Sequence, residues 1–149
     1  MNGEREQTGG EGMTLMGMAP ERGRWVLIAL GLAINLALGG IYAWSVFLGP
    51  LSDHFAALGE PVSPGGVLLP FSLFLAAFAL AMPLAGRYIE TTGPRRMTVI
   101  GGVLTGTGWI LASFAPSSLV LALAFGGIGG TGVGIAYGVP LTLAARWFP

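Results

Sequence analysis

The chain has 149 residues, of which 53% are apolar and only 9% charged, with 26 Gly and a formal net charge of zero, and its mean hydropathy is +0.74. A soluble domain carries roughly 25% charged residues, so the composition excludes one and defines an integral membrane chain of the all-α class. Zero net charge on a few loops and ends offers no basic face for nucleic acid, and the absence of Cys excludes a disulfide framework, a thiolate metal site and a cysteine nucleophile.

Met1 to Glu21 is polar and rich in Gly and Glu, with too little apolar content to build a core, and reads as a disordered cytoplasmic tail, residues 1-21. From residue 22 to 149 the pattern is that of a partial transmembrane domain. Its first helix is expected at about 25-51, after Arg22 and Arg24; this run is longer than the 7 to 15 apolar residues of a signal peptide. A connector with Asp53, His54 and Glu60 but no base leads to a second helix at about 66-88, which carries Pro70 and Pro83 near its ends. The third is expected at 97-115 and, after the uncharged turn at Pro116-Ser117-Ser118, the fourth at 119-145. Each run is long enough at helical rise to cross a hydrocarbon core of roughly 30 Å.

Every basic residue falls on one side of this map. Arg5, Arg22 and Arg24 precede helix 1; Arg87, Arg95 and Arg96 lie between helices 2 and 3; Arg146 closes helix 4. The positive-inside rule makes that side the cytoplasm. The expectation is a multi-pass protein of the cell membrane with both termini cytoplasmic and the loop around His54 outside.

Small residues set the expected packing. In helix 4, Gly126, Gly130, Gly134 and Gly138 recur every four residues and form a smooth strip that lets a neighbouring backbone approach closely. Gly102 and Gly106 offer a matching pair on helix 3. On helix 1, a 3.6-residue wheel places Asn35 and Tyr42 close together, with Ser45 at the border. An amide at mid-membrane depth needs a hydrogen-bond partner, either on another helix or in a water-filled cavity; Asn35, Tyr42 and Ser45 are therefore candidates for a substrate path. Trp44 suits an anchor at the outer interface.

No ionisable residue lies inside the four apolar runs, so no proton site or buried anion partner is expected in them. The sequence also lacks a catalytic triad pattern, a His-Glu-x-x-His pair, a phosphate loop and a ligand set for a metal. The chain is expected to be no enzyme, to bind no cofactor and to have the lipid bilayer as its surroundings.

Gly86-Arg87-Tyr88-Ile89-Glu90-Thr91-Thr92-Gly93-Pro94-Arg95-Arg96 is the internal stretch densest in charge. It resembles the loop between the second and third helices of major facilitator superfamily transporters, with Gly86, Glu90, Gly93, Arg95 and Arg96 on or next to the pattern positions. Glu90 stands where that pattern prefers Asp, Thr91 where it prefers a base, and Pro94 where the first closing base is usual. Asn35 to Phe47, with its Tyr-x-Trp-Ser-Val-Phe ending, resembles the first helix of the oxalate:formate antiporter family, and Ala145-Arg146-Trp147-Phe148-Pro149 is similar to the end of that family's fourth. Monocarboxylate transporters are the neighbouring branch, but Arg22-Gly23-Arg24-Trp25 stands where their first helix begins with Asp-Gly-Gly.

The resemblance implies secondary transport of small carboxylates by alternating access between two six-helix halves, with the stretch from Gly86 to Arg96 as a gating loop. It also implies that the basic residues that bind the carboxylate lie in a carboxy-terminal half missing here, so that these residues are an amino-terminal fragment inactive alone. The alternative is a small four-helix membrane protein that acts by packing against partners and transports nothing.

Overall fold

The structure, a computed structural model, describes residues 20–147. Nearly all of the expected tail, and Phe148 and Pro149, lie outside the described residues. Within them the chain is almost wholly helical, broken by short connectors at 58–63, Gly93 and 113–117, with no strand. The elements are α1 (Pro20–Leu38), a 3-10 segment (Gly39–Ala43), α2 (Trp44–Ala57), α3 (Pro64–Thr92), α4 (Pro94–Ala112), α5 (Ser118–Leu121), a π-helical segment (Ala122–Gly129) and α6 (Gly130–Trp147). Three stretches are long and apolar enough to cross a membrane: Ile28–Ala57, Pro64–Thr92 and Ser118–Ala145. The third expected span, found as α4, has 19 residues, opens on Pro94-Arg95-Arg96 and is diluted by Gly and Thr, so its apolar content falls below that of the other three.

The last span, the π-helical segment continued by α6, is the axis of the fold, and its glycines explain why. A Cβ on Gly126 would stand 2.7 Å from the Pro70 carbonyl oxygen, one on Gly130 2.7 Å from that of Phe74, one on Gly134 2.8 Å from that of Phe78 and one on Gly138 3.4 Å from that of Met82. Both series climb by four residues together, so α3 and α6 run parallel with their backbones nearly touching. In lipid, where no hydrophobic effect drives helices together, such close approach supplies the attraction through dispersion contacts.

The opposite side of α6 meets α4 in the antiparallel sense. A Cβ on Gly108 would lie 2.8 Å from the Ala124 oxygen and one on Gly101 2.8 Å from the Ala136 nitrogen, while Gly132 abuts Thr105. Gly102 and Gly106, expected to make this contact, face away, with nothing within 4 Å of a Cβ at either. The helical phase is the reason: Gly101, Thr105 and Gly108 occupy the buried stripe of α4, and a neighbour one position along is turned by about 100°. Thr105 keeps its hydroxyl satisfied in this apolar seam by donating to the Gly101 carbonyl at 2.8 Å.

Pro70 and Pro83 lie well inside α3 rather than near its ends, because the helix extends from Pro64 to Thr92. Pro70 has no N–H, which deprives the Gly66 carbonyl of its helical partner. Ser118, at the start of α5, donates its hydroxyl to that carbonyl. An orphan carbonyl in lipid is costly, and this bond from a distant helix removes the cost; its net worth is about 1 kcal/mol.

Crossing points orient the bundle. Gly31 of α1 meets Pro140 of α6, with a Cβ there 3.1 Å from the Pro140 Cβ, and Ala85, Ile89, Met97 and Val139 cluster at the same end. Trp44, Phe55, Ala115 and Leu121 cluster toward the other. The helices also outrun the apolar stretches: Asp53 and His54 lie in the last turns of α2, and Arg87 and Glu90 in the last turns of α3.

Candidate functional site

The first span is where polar side chains reach membrane depth, and its winding decides where they point. Gly39 and Gly40 are poor helix formers, and the segment from Gly39 to Ala43 tightens to 3-10 geometry. At three residues per turn rather than 3.6, each residue advances about 20° further around the axis. Over the segment this amounts to roughly 80°, enough to separate Asn35 from Tyr42, which a uniform wheel puts on one face. Asn35 is half-buried, whereas Tyr42 is 69% exposed and Ser45 is exposed beside it.

Asn35 donates through Nδ2 to the Gly31 carbonyl of its own helix at 2.9 Å. Its Oδ1 is buried and finds no donor among the described residues. The side chain borders an open groove of about 320 Å³ between α1 and α6, shared with Gly31, Leu32, Tyr137 and Pro140. Tyr137, which the sequence reading did not single out, is held edge-on to Phe78 with ring centroids 5.6 Å apart. A phenol amid the glycine strip of α6 was the available signal. The groove is thus bordered by Asn35 and the Tyr137 phenol on otherwise apolar walls, with the Asn35 oxygen itself turned out of reach.

Tightening has a second effect: side chains three apart eclipse in a 3-10 helix, and Ile41 and Trp44 both turn inward. Trp44 is 7% exposed, stacked on Phe125 with centroids 4.9 Å apart and on Phe71 at 5.9 Å. It is therefore a core residue and not the interface anchor expected from its position in the sequence.

At the opposite end of α3, the stretch expected to be a loop is mostly helix. Gly86, Arg87 and Glu90 belong to the final turns of α3, Arg95 and Arg96 to the first turn of α4, and Gly93 alone joins them. Its φ of 86° and ψ of 149° suit only glycine. The Gly93 N–H caps α3 by donating to Ile89 at 3.0 Å, and Pro94 fits the first position of α4, where no N–H is required. Glu90, Arg95 and Arg96 are exposed at this turn. Arg95 also borders a groove of about 230 Å³ with Ile34, Thr98 and Pro140. Among the described residues no group of His, Cys, Asp or Glu is placed to hold a metal ion.

Apolar helices of spanning length, joined backbone to backbone through glycine, define a multi-pass α-helical membrane protein. Known proteins give the class a narrower meaning. The uncharacterized MFS-type transporter YhjX of Escherichia coli (strain K12) is 33% identical over 129 residues, covering 87% of this chain and 31% of that protein. The oxalate:formate antiporter of Oxalobacter formigenes is 29% identical over 127 residues, 85% of this chain and 29% of its own length. Human monocarboxylate transporter 14 is 25% identical over 126 residues, 74% of this chain and 25% of that protein. No protein-family model matches. The chain belongs to the family of major-facilitator-type transporters, and it spans about a quarter to a third of the length of these curated relatives.

Proposed function

We propose that these residues form the amino-terminal part of a secondary transporter that moves small organic anions, of the oxalate/formate or monocarboxylate type, across the cell membrane by alternating access. The observation that carries the reading is the similarity over 85% of the chain to a protein named as an oxalate:formate antiporter. The arginine distribution supports a cytoplasmic side for both chain ends. Asn35, which borders the groove between α1 and α6, lines the substrate path, and Tyr42 and Ser45, exposed on the first span, face the carboxy-terminal half. Gly86, Glu90, Gly93, Arg95 and Arg96 form the cytoplasmic gate around a rigid turn. The substrate anion takes its positive partner from that other half, so residues 1 to 149 alone are inactive.

Carboxylate exchange in proteoliposomes tests this. The polypeptide encoded by the reading frame that contains these residues should exchange labelled oxalate, formate or lactate, and the 149-residue chain should not. Saturable uptake by the short chain would refute its inactivity, and failure of the encoded polypeptide to exchange any of the three would refute the substrate class. Single Cys residues at Ser52 and Thr92 settle the orientation: an impermeant thiol reagent added to cells should label position 52 and spare position 92, and the reverse pattern inverts the topology.

A further inference from the structure

The first and last spans each depart from α winding, and they do so against each other. On the first, Gly39–Ala43 is a 3-10 helix of 5 residues, longer than the roughly four that such runs usually reach. On the last, Ala122–Gly129 is π-helical. Between them Trp44 stacks on Phe125 with centroids 4.9 Å apart, and Ile41 packs with Phe74 and Val133 beside the same Phe125. We propose that this contact is the latch of a winding switch. The first span passes between the 3-10 form, with Trp44 stacked on Phe125, and an α form in which Trp44 has left the stack and Trp44–Ala57 has turned about the helix axis.

Backbone bonding places little in the way of the exchange. In the 3-10 form the Trp44 N–H donates to the Ile41 oxygen, three residues back. In the α form it takes the Gly40 oxygen instead, so one bond replaces another and no N–H is stranded in lipid. The π-helical segment already stands between windings: the Gly130 N–H donates to the carbonyls of Phe125, Gly126 and Gly127 alike. These lie five, four and three residues back, the acceptors of π, α and 3-10 winding.

Side chains decide what moves. Residues three apart eclipse in a 3-10 helix and diverge in an α-helix, so Ile41 and Trp44 cannot both stay inward once the segment relaxes. Trp44 is the one that leaves. It is more than nine-tenths buried, and its indole Nε1–H has no acceptor among the described residues. An indole N–H is a donor only, and burying it unpaired carries a cost that burying Ile41 does not. The stacks on Phe71 and Phe125 hold it in place against that cost. At the joint itself nothing opposes rotation, since a Cβ on Gly39 or Gly40 would meet nothing within 4 Å.

Relaxation of the segment turns the outer part of the span by about 80° and shortens the span by about 2 Å. Tyr42 then comes round to the face of Asn35, from which the tight form separates it. The polar face of the first span is assembled in one form only, a consequence that rests on the reading of these residues as a substrate path.

Fluorine NMR of 5-fluorotryptophan tests the switch, in the polypeptide that the reading frame encodes, held in lipid nanodiscs. The signal of position 44 is the one lost in Trp44→Phe. The expected result is two signals from position 44. The weaker should grow several-fold in the double replacement Gly39→Ala and Gly40→Ala, because alanine favours α winding, and in Phe125→Leu, which removes the stack. A single signal that keeps its place in the wild type and in both variants overturns the switch. The variants act on opposite sides of the contact, so a folding defect in one leaves the other as the test. Oxalate, formate and lactate separate the switch from the transport reading. If the polypeptide exchanges one of them while the signal ratio ignores it, the link between winding and path is overturned. If the ratio answers the variants and none of the three is exchanged, the transport reading alone is sunk.

Discussion

The fourth apolar stretch, Ser118–Ala145, and the first, Ile28–Ala57, are of similar length and hydropathy, yet 56% of the former's span is buried against 17% of the latter's. Hydrophobicity therefore does not separate a helix that faces protein from one that faces outward in this molecule. Residue size does. The buried helix presents Gly126, Gly130 and Gly134 to α3 and Gly129 and Gly132 to α4, whereas the first span presents Leu32, Leu36, Val46 and Phe47 outward. In a bilayer, lipid tails already solvate a leucine, and contact between helices is gained where side chains are missing.

The largest expected effect comes from filling the seam. Gly130→Leu puts a side chain where the Phe74 carbonyl stands 2.7 Å from a Cβ, and should destabilise the fold by about 3 kcal/mol or more. Gly49→Leu on the first span meets open space and should change stability by no more than about 0.5 kcal/mol. Thermal unfolding in detergent measures both, and similar losses would erase the distinction between the two helices. On a finer scale, Gly108→Ala should cost about 2 kcal/mol through overpacking against Ala124 and Gly129. Gly106→Ala, two positions away and facing outward, should stabilise α4 by up to about 1 kcal/mol through helix propensity. A loss at position 106 to match that at 108 would mean that both faces of α4 are packed.

Ser118→Ala should cost about 1 kcal/mol by stranding the Gly66 carbonyl. In a Pro70→Ala background the helix can supply its own N–H to that carbonyl, and the same change should cost less than half as much. A thermodynamic cycle that returns additive losses would show that the proline and the serine act independently. The smallest effect falls on the open helix: Asn35→Ala removes a bond within α1 and should lower stability by about 0.5 kcal/mol. In the encoded transporter it should weaken substrate binding by roughly 1 kcal/mol. A stability loss with unchanged binding would reduce Asn35 to a packing residue.

Much of this was legible before the coordinates, for reasons that can be stated. Apolar runs bounded by Gly, Pro and charge mark the helices because an unpaired backbone is too costly in lipid for any other arrangement of a single chain segment. Gly93-Pro94 marks a turn because no other pair so readily ends one helix and begins another. Three features were not legible. The tightening at Gly39–Ala43 depends on how Ile41 and Trp44 fit the aromatic side chains of α3 and the π-helical segment, and a wheel assumes uniform winding. The choice of Gly101 and Gly108 over Gly102 and Gly106 depends on phase, to which a count of small residues is blind. Trp44 resembles any interfacial tryptophan until its neighbours Phe71 and Phe125 are placed around it.

The bond between Ser118 and Gly66 has a consequence for how the protein is made. Its partners are 52 residues apart, and at ribosomal speeds of roughly 5 to 20 residues per second the serine emerges about 3 to 10 s after the glycine. During that interval α3 is already complete enough to enter the bilayer, with the Gly66 carbonyl, which Pro70 has left without a donor in its own helix, still waiting for the serine. A polar atom in that condition favours lingering beside the translocation channel or a wet neighbour over release into lipid. The two hairpins are thereby tied in time as well as in space, the earlier one reaching its final state only when the later one arrives.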